Sequence, residues 1–392
     1  MGHSILPPSS AHIWGKPGGC TGWVQMAQTY PDNEDSVSAC EGTAAHEIGA
    51  QLITDAKTNR VQNHLASDWI GITASNGVLF TEEMFDSARE YADDVINVMR
   101  KTGIFGGENL RIEQRVEIPK VNKINWGTPD CSIYHEADNV LYLWDFKHGY
   151  EVVEAFENWQ GIDYLAGIID LIGIDGHIDQ ATKVHLRIAQ PRAFHREGSI
   201  REWVVTASDL RAYFNTLNAN ASEALGPNAK FRTGSHCKYC TGRHACPAAL
   251  KAGLGMYEAV SEPVPVELSA DALGLQLSIV KRARKQLEYL ESGFETQASA
   301  LIKKGNIVPG WSVEEKIGRQ KWDKPVEEII ALGYMLNLDL RKPPDAITPT
   351  QAKKLGIDDA VIMAYSTNPR TGITIVPDNG NNAKQVFKKC QQ

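Results

Sequence analysis

Two runs of β-forming residues, separated by a short polar segment, constrain the fold of this chain more than any other feature. Residues 131–134 and 140–146 are rich in β-branched, aromatic and aliphatic residues, and residues 135–139 between them read His-Glu-Ala-Asp-Asn. This pattern predicts an antiparallel hairpin with a tight turn. In that register Asp130 lies opposite Asp145, and opposed residues on paired strands have Cβ atoms about 5 Å apart.

The opposed carboxylates of Asp130 and Asp145 predict a divalent-cation site. Like charges at this separation are destabilising unless something neutralises them, and Mg²⁺ or Mn²⁺ would do so because hard cations prefer carboxylate oxygen. Lys147 follows Asp145 by two residues, so both side chains project from one face of the strand. The apolar run that precedes them predicts burial, where charges occur mainly when paired or metal-bound. A surface hairpin with scattered charges is the alternative interpretation.

Five motifs, in order along roughly residues 10–250, resemble those of the RecB-like branch of the PD-(D/E)XK nucleases, and in particular its phage-encoded members. They are Glu41-Gly-Thr-Ala-Ala-His46-Glu, Gly127-Thr-Pro-Asp130, Asp145-Phe-Lys147-His-Gly149, Asn158-Trp-Gln160-x-x-x-Tyr164 and Cys237-x2-Cys240-x5-Cys246. Each motif is weak alone, and the five together in this order are specific. The resemblance implies an α/β fold with a restriction-endonuclease-like core, which is a central mixed sheet flanked by helices.

The resemblance also implies metal-dependent hydrolysis of phosphodiester bonds in DNA. His46, Asp130 and Asp145 are then the expected metal ligands, and Asp145 stands where many relatives carry Glu. Glu113 matches a further glutamate that binds metal directly or through water, with a solvated strand face as the alternative. Lys147 is expected to orient the attacking water or to stabilise the transition state.

Gln160 and Tyr164 are four residues apart on a predicted helix, so they share one face. The resemblance implies that they contact phosphate oxygens or hold Lys147. It further implies an exonuclease that processes linear DNA ends, in a phage setting together with a single-strand annealing protein. The alternative function is a non-catalytic DNA-binding or assembly module that retains the fold. Homo-oligomerisation, polarity and strand preference stay open.

The cysteine triplet Cys237, Cys240 and Cys246 resembles that of family members with an iron–sulfur cluster. Three close cysteines need a fourth ligand, and relatives place it ahead of the histidine motif, at the start of the nuclease domain, which favours Cys20 and leaves Cys40 in reserve. Four thiolates suit a [4Fe–4S] cluster. Structural Zn²⁺ is the alternative, because it takes the same ligands and two histidines lie in the same segment.

Length, composition and charge bound the remaining possibilities. The chain has 392 residues, of which 42% are hydrophobic and 22% charged, as expected for a globular protein of one large domain or two. The longest apolar stretch is too short to span a bilayer and the N-terminus does not resemble a signal peptide, which predicts a cytoplasmic location without membrane partners (the host cytoplasm if phage-encoded). The net charge of −8 requires a local basic patch for DNA contact. Candidates for that patch are Lys120, Lys123, Arg187, Arg192, Arg196 and, in the tail, Arg319 and Lys321.

The order of predicted elements indicates a mixed α/β core followed by an extension. We expect an irregular arm over residues 1–19, a linker near residues 261–265, and a small mixed α/β unit from residue 311. The predicted domains are a nuclease domain over residues 1–260, containing the cysteines, and a C-terminal extension over residues 261–392. Predicted helices cover residues 43–57 (with Thr43 as N-cap), 80–101, 156–174, 207–225 and 270–303, and predicted strands outside the hairpin cover residues 110–118 and 183–189.

Overall fold

A computed structural model describes residues 4–31, 36–58, 64–172, 181–261, 268–317, 320–341, 348–354, 356–367 and 370–377. The chain divides into two compact units, Met1–Leu290 and Glu291–Gln392. The predicted domain boundary after residue 260 lies earlier in the chain and stays a prediction. The predicted linker lies outside the described residues apart from Ser261, which ends a helix.

Four helices precede the first strands of the first unit, further helices and strands follow, and one long helix runs on into the second unit. The helices are α1 (Ala11–Trp14), α2 (Trp23–Thr29), α3 (Val37–Ala56), α4 (Glu82–Thr102), α5 (Trp159–Leu171), α6 (Leu210–Leu225), α7 (Pro247–Ser261), α8 (Ala270–Lys303), α9 (Val326–Met335), α10 (Pro349–Lys354) and α11 (Asp359–Tyr365). The strands are β1 (Leu110–Ile112), β2 (Val116–Glu117), β3 (Trp126–Gly127), β4 (Cys131–His135), β5 (Val140–Phe146), β6 (Lys183–Ala189), β7 (Ile200–Thr206), β8 (Trp311–Ile317), β9 (Lys321–Trp322), β10 (Ser366–Thr367) and β11 (Arg370–Pro377).

A five-stranded mixed sheet in the order β1-β4-β5-β6-β7 forms the centre of the first unit. The hairpin prediction is confirmed, because β4 and β5 pair antiparallel with Cys131 opposite Trp144. Strands β5 and β6 run parallel, and α5 lies between them in the chain. The expected α/β class with a central mixed sheet flanked by helices is therefore confirmed, whereas the finer expectation of a PD-(D/E)XK core stays a prediction.

Alternate residues of β5 pack into two separate hydrophobic cores, because successive side chains of a strand point to opposite faces of the sheet. Leu141 and Leu143 join a core with residues of α1, α2, α5 and α6. Tyr142, Trp144 and Phe146 join a second core with residues of α3 and α4. Helices α3 and α5 therefore pack on opposite faces of the sheet, and each can deliver side chains to the same end of β5.

The prediction of one continuous strand over residues 110–118 is wrong. Strand β1 ends at Ile112, and Glu113 adopts a left-handed backbone conformation with φ of 46°. That conformation cannot continue a strand, so the chain bends there before β2 begins. The bend is held by the Glu113 N–H group, which donates a hydrogen bond to the Asp130 carbonyl oxygen at 2.9 Å.

The prediction of an irregular N-terminal arm is also wrong. Residues of this segment form a 3-10 helix, Pro8–Ser10, and then α1. Leu6, Ile13 and Trp14 are at most 1% exposed, because these apolar side chains join the first core. The local sequence pattern did not reveal this burial.

Several element boundaries differ from the predicted ones. Helix α3 begins at Val37, and its N-cap is Ser36, whose side chain accepts a hydrogen bond from the Ala39 N–H group, so the prediction of Thr43 as N-cap is wrong. The Thr43 hydroxyl instead donates to the Ala39 carbonyl oxygen within the helix, at 3.1 Å. Helices α4, α5 and α6 start slightly later than predicted, and β7 was not predicted. The bounds predicted for β6 and α8 are confirmed.

The second unit has a small core of its own. Strands β8 and β11 pair antiparallel, as do β9 and β10. The core of this unit consists of Ile329, Leu340, Ala352, Ile357 and Ile362. Among the described residues of both units, none of the helices combines the length and the apolar character needed to cross a membrane.

Candidate functional site

The candidate site lies where β5 ends and β4 begins. Cys131 pairs with Trp144, so the preceding residue Asp130 lies opposite Asp145, as the sequence predicted. The two residues are only 7% and 2% exposed. Two carboxylates at this burial require neutralisation by cations, by a bound metal or by protons.

Three side chains from separate elements form a group that could hold a metal ion. They are His46 from α3, Glu113 from the bend after β1 and Asp130 from the start of β4, and their ligand atoms all lie within 4.8 Å of one another. His46 Nδ1 is 3.2 Å from Asp130 Oδ1 and 3.5 Å from Glu113 Oε1. The left-handed conformation of Glu113 turns the chain out of the strand beside Asp130. The bend that interrupts the predicted strand is thus the feature that brings Glu113 to the site.

A second network holds Lys147 beside this group. Lys147 Nζ is 3.0 Å from Asp145 Oδ1 and 3.0 Å from Gln160 Oε1. The Gln160 side-chain amide donates to Asp145 Oδ1 at 2.9 Å. Gln160 therefore takes the Lys147-holding position, one of its two expected roles. Asp145 is engaged by these two partners and is not part of the three-residue group.

The pKa values of the site residues reflect two opposing effects, which are burial and the attraction between neighbouring charges. Burial alone would lower the pKa of His46, but the carboxylates of Asp130 and Glu113 outweigh it and raise that pKa to about 10. Burial alone would raise the pKa of Asp130, but the nearby His46 outweighs burial and lowers that pKa below its usual value. Burial raises the pKa of Asp145, with Asp130 adding to the effect and Lys147 opposing it. His46 thus carries a proton between two carboxylates, in a place where a bound cation would supply the positive charge.

Close packing around Gly127 positions the segment that leads to Asp130. A Cβ atom at residue 127 would lie 2.6 Å from Cε1 of Tyr164 and 2.7 Å from Cγ of Pro8. Only glycine fits there without displacing these neighbours. Tyr164, on α5, is 7% exposed and belongs to the first core, and its ring packs against the segment that leads to Asp130.

Phe146 contributes to the site although sequence reasoning did not single it out. Its backbone N–H group donates a short hydrogen bond to Asp130 Oδ2. Its ring centroid lies 5.0 Å from that of His46 and 4.9 Å from that of Tyr91, on which it stacks. The sequence could have indicated this role for Phe146. Side chains alternate along a strand, so the residue between Asp145 and Lys147 faces the opposite side of the sheet, where α3 packs.

The four predicted cluster ligands come together at a second place in the first unit. Cys20, Cys237, Cys240 and Cys246 line one cavity, and each is at most 7% exposed. All four are free thiols, and burial raises the pKa of Cys240 to about 12. Cys40 lies on α3 and does not line this cavity. Cys390 lies outside the described residues.

The candidate basic patch is largely engaged in ion pairs. Arg187 lies 3.0 Å from Asp94 and 2.6 Å from Glu202, and Arg192 lies 2.8 Å from Glu83. Lys120 lies 3.1 Å from Asp170. Arg196 is 87% exposed, with its nearest acidic partner at 3.7 Å. Arg319 lies outside the described residues, and the side chain of Lys321 does too.

Comparison with known proteins gives one match. A family model described as a protein of unknown function (DUF2800) matches residues 3–355. That range includes both the metal group and the four clustered cysteines. No curated protein and no solved structure matches the chain.

Proposed function

We propose that this chain, which belongs to the DUF2800 family, is a metal-dependent deoxyribonuclease. One observation carries the proposal: His46, Glu113 and Asp130 have ligand atoms within 4.8 Å of one another, next to a lysine held 3.0 Å from Asp145. Hydrolysis of a phosphodiester needs a metal-activated water and a positive group near the phosphate. The three-residue group could hold the metal, and Lys147 provides the positive group.

The donor set fits Mg²⁺ or Mn²⁺. Two carboxylates and one imidazole present hard and borderline donors, and these suit such ions better than soft metals. When bound, the ion would lower the pKa of a coordinated water and offset negative charge on the phosphate. His46 must be neutral to ligate, so metal binding replaces the proton that it otherwise shares with the two carboxylates.

The chain's own residues have separable tasks in this proposal. Asp130 and Glu113 fix the orientation of the His46 ring. Asp145 and Gln160 hold the Lys147 ammonium, whose side chain is 26% exposed and so accessible to a substrate, whereas that of Asp145 is 3% exposed. Lys147 then stabilises charge on the phosphate or orients the attacking water. A preorganised ammonium does this without reorganising during the reaction.

The substrate class is supported by the motifs that resemble RecB-like nucleases with a PD-(D/E)XK core. On that basis the substrate is linear DNA digested from its ends, in recombination alongside a single-strand annealing protein. With a net charge of −8, DNA contact requires a local basic patch. Arg196 and Lys123, both exposed, are the basic candidates least committed to ion pairs.

The four clustered cysteines support a structural [4Fe–4S] cluster as a second cofactor. The assignment to iron and sulfur rests on the cysteine motif that resembles those of cluster-containing nucleases. Structural Zn²⁺ is the alternative, because it binds the same four thiolates, and metal analysis distinguishes the two.

A nuclease assay tests the proposal. Linear duplex DNA should be degraded with Mg²⁺ or Mn²⁺ and survive in chelator, and a covalently closed circle should survive where the linear form is lost. Asp130→Asn should be inactive and still folded. DNA binding without cleavage under every metal condition would replace the enzyme with a binding module, and rapid linearisation of the circle would indicate an endonuclease.

A further inference from the structure

The long helix α8 carries a regular apolar stripe. Its members follow one another at intervals of seven residues, and each is between 41% and 49% exposed. They are Leu273, Val280, Leu287, Phe294 and Leu301. An apolar residue at every seventh position gives the helix one apolar face, along which another helix can pack lengthwise. This set is called the α8 stripe below.

Helix α7 extends the apolar surface beside the stripe. Gly253 of α7 approaches α8 so closely that a Cβ atom there would lie 2.8 Å from Leu290 Cδ1 and 3.8 Å from Leu287 Cδ2. On α7, Leu254 and Tyr257 are 61% and 66% exposed. These exposed apolar side chains lie on two helices that meet at Gly253, and exposed apolar surface of this kind marks a candidate interaction site.

The charges on α8 change sign at the middle of the stripe. Between Val280 and Leu287 the exposed charged residues are Lys281, Arg282, Arg284 and Lys285, and between Leu287 and Leu301 they are Glu288, Glu291 and Glu295. Asp271 and Lys303, near the two ends of the helix, have the opposite sign to the segment on their side. The spacing of the stripe is also symmetric about Leu287, because Val280 and Phe294 are equally distant from it, as are Leu273 and Leu301. A partner with the same sequence running in the opposite direction matches both features.

We propose that α8 is a dimerisation helix that pairs antiparallel with α8 of a second copy of this chain, with the two-fold axis at Leu287. Val280 then packs against the partner subunit's Phe294, and Leu273 against the partner subunit's Leu301. The basic half of each helix faces the acidic half of the other. Parallel pairing would place the two basic segments side by side, which is unfavourable.

Cysteine cross-linking tests both the partner and its direction. Leu287→Cys should form a disulfide-linked dimer of the full chain under mild oxidation, well above the background of the parent protein. Leu273→Cys and Leu301→Cys should cross-link only when the two variants are mixed. In an antiparallel pair the two copies of residue 273 are about 42 Å apart, whereas a disulfide needs Cα atoms within about 7 Å.

Matched lysine substitutions test the stripe without cross-linking. The wild-type chain should sediment as a dimer, and Leu287→Lys should convert it to a monomer with unchanged helix content. Leu275→Lys, at a leucine that is 62% exposed but off the stripe, should remain dimeric. A wild-type chain that is monomeric at every concentration would overturn the proposal. So would Leu273→Cys protein that cross-links to itself, since only a parallel arrangement allows it.

Discussion

Lys147 is the residue on which the proposed chemistry depends most directly. Lys147→Met keeps the length of the side chain but removes the ammonium that Asp145 and Gln160 hold at 3.0 Å or less. We expect cleavage to fall about a thousandfold, which corresponds to about 4 kcal/mol of transition-state stabilisation. Single-turnover rates measure this, and calorimetry should show that the metal still binds. The control is Lys183→Met on the neighbouring strand, where the lysine is exposed. Near-normal cleavage by Lys147→Met would reject the role assigned to the ammonium.

Asp163 is a buried carboxyl that gives the stability of the first unit a defined pH dependence. It is fully buried and accepts a hydrogen bond from the Asn125 side-chain amide at 2.9 Å. Burial raises its pKa to about 8 from an ordinary value of 3.8, although the Asn125 bond opposes that rise. Between these two pH values the unfolded chain has released this proton and the folded chain has kept it. This contribution to stability is therefore fully present at low pH and is lost as pH rises towards 8.

Asp163→Asn should remove that dependence. The free energy of unfolding of the variant, relative to wild type, should rise steadily between pH 4 and pH 8, by up to about 1.4 kcal/mol per pH unit. Calorimetry at several pH values measures the difference. Asp170→Asn, on the same helix and paired with Lys120, is the control and should show no such gain. A constant difference at all pH values would mean that Asp163 is already ionised in the folded protein.

At the level of elements, the approach to Asp130 depends on a close contact between the Gly127 segment and α5. Gly127→Ala would press a methyl group against Tyr164 and Pro8, at 2.6 Å and 2.7 Å before relaxation. Overpacking of this kind costs about 1–3 kcal/mol. We expect lower stability together with lower activity, because the displaced segment carries Asp130 with it.

The glycine control separates this contact from the general effect of an added methyl group. Gly106→Ala lies on an exposed loop where a Cβ atom would meet nothing within 4 Å, and it should change neither the midpoint of urea unfolding nor cleavage. If Gly127→Ala unfolds at the same urea concentration as wild type, the segment relaxes freely and does not position Asp130.

On the scale of the whole molecule, the cysteine cavity joins the N-terminal segment to residues more than two hundred positions later. Cys20 and Cys240 both line it, so a cluster bound there closes a very long loop, where cross-links in principle stabilise most. Protein prepared without oxygen should be brown and contain about four irons per chain. Cys20→Ser should lose colour, iron and thermal stability.

Cys40→Ser is the matched control for that experiment, because Cys40 lies outside the cavity. It should retain iron and a normal melting temperature. Iron analysis and thermal unfolding of both variants distinguish the two cysteines. One zinc and no iron in the anaerobic protein would reject the cluster while leaving the ligand set in place, and iron lost from the Cys40 variant alone would reject Cys20.

The sequence by itself determined the local features on which the site is built. Alternating and β-rich runs defined the β4–β5 hairpin and its register, which placed Asp130 opposite Asp145 and Lys147 on the same face. The long periodic segment defined α8 to its last residue. These features depend on the strand and helix periods and on turn chemistry, and each of them is encoded within a few neighbouring residues.

Only the tertiary structure decided which distant residues meet. The left-handed turn at Glu113 interrupts a pattern that read as one strand, and a single backbone angle leaves no periodic signal in the sequence. His46 reaches the hairpin because α3 packs on the Phe146 face of β5, and the N-terminal segment is buried because its apolar side chains fill the other core. Long-range packing of this kind depends on the summed burial of many side chains, so no local pattern could specify it.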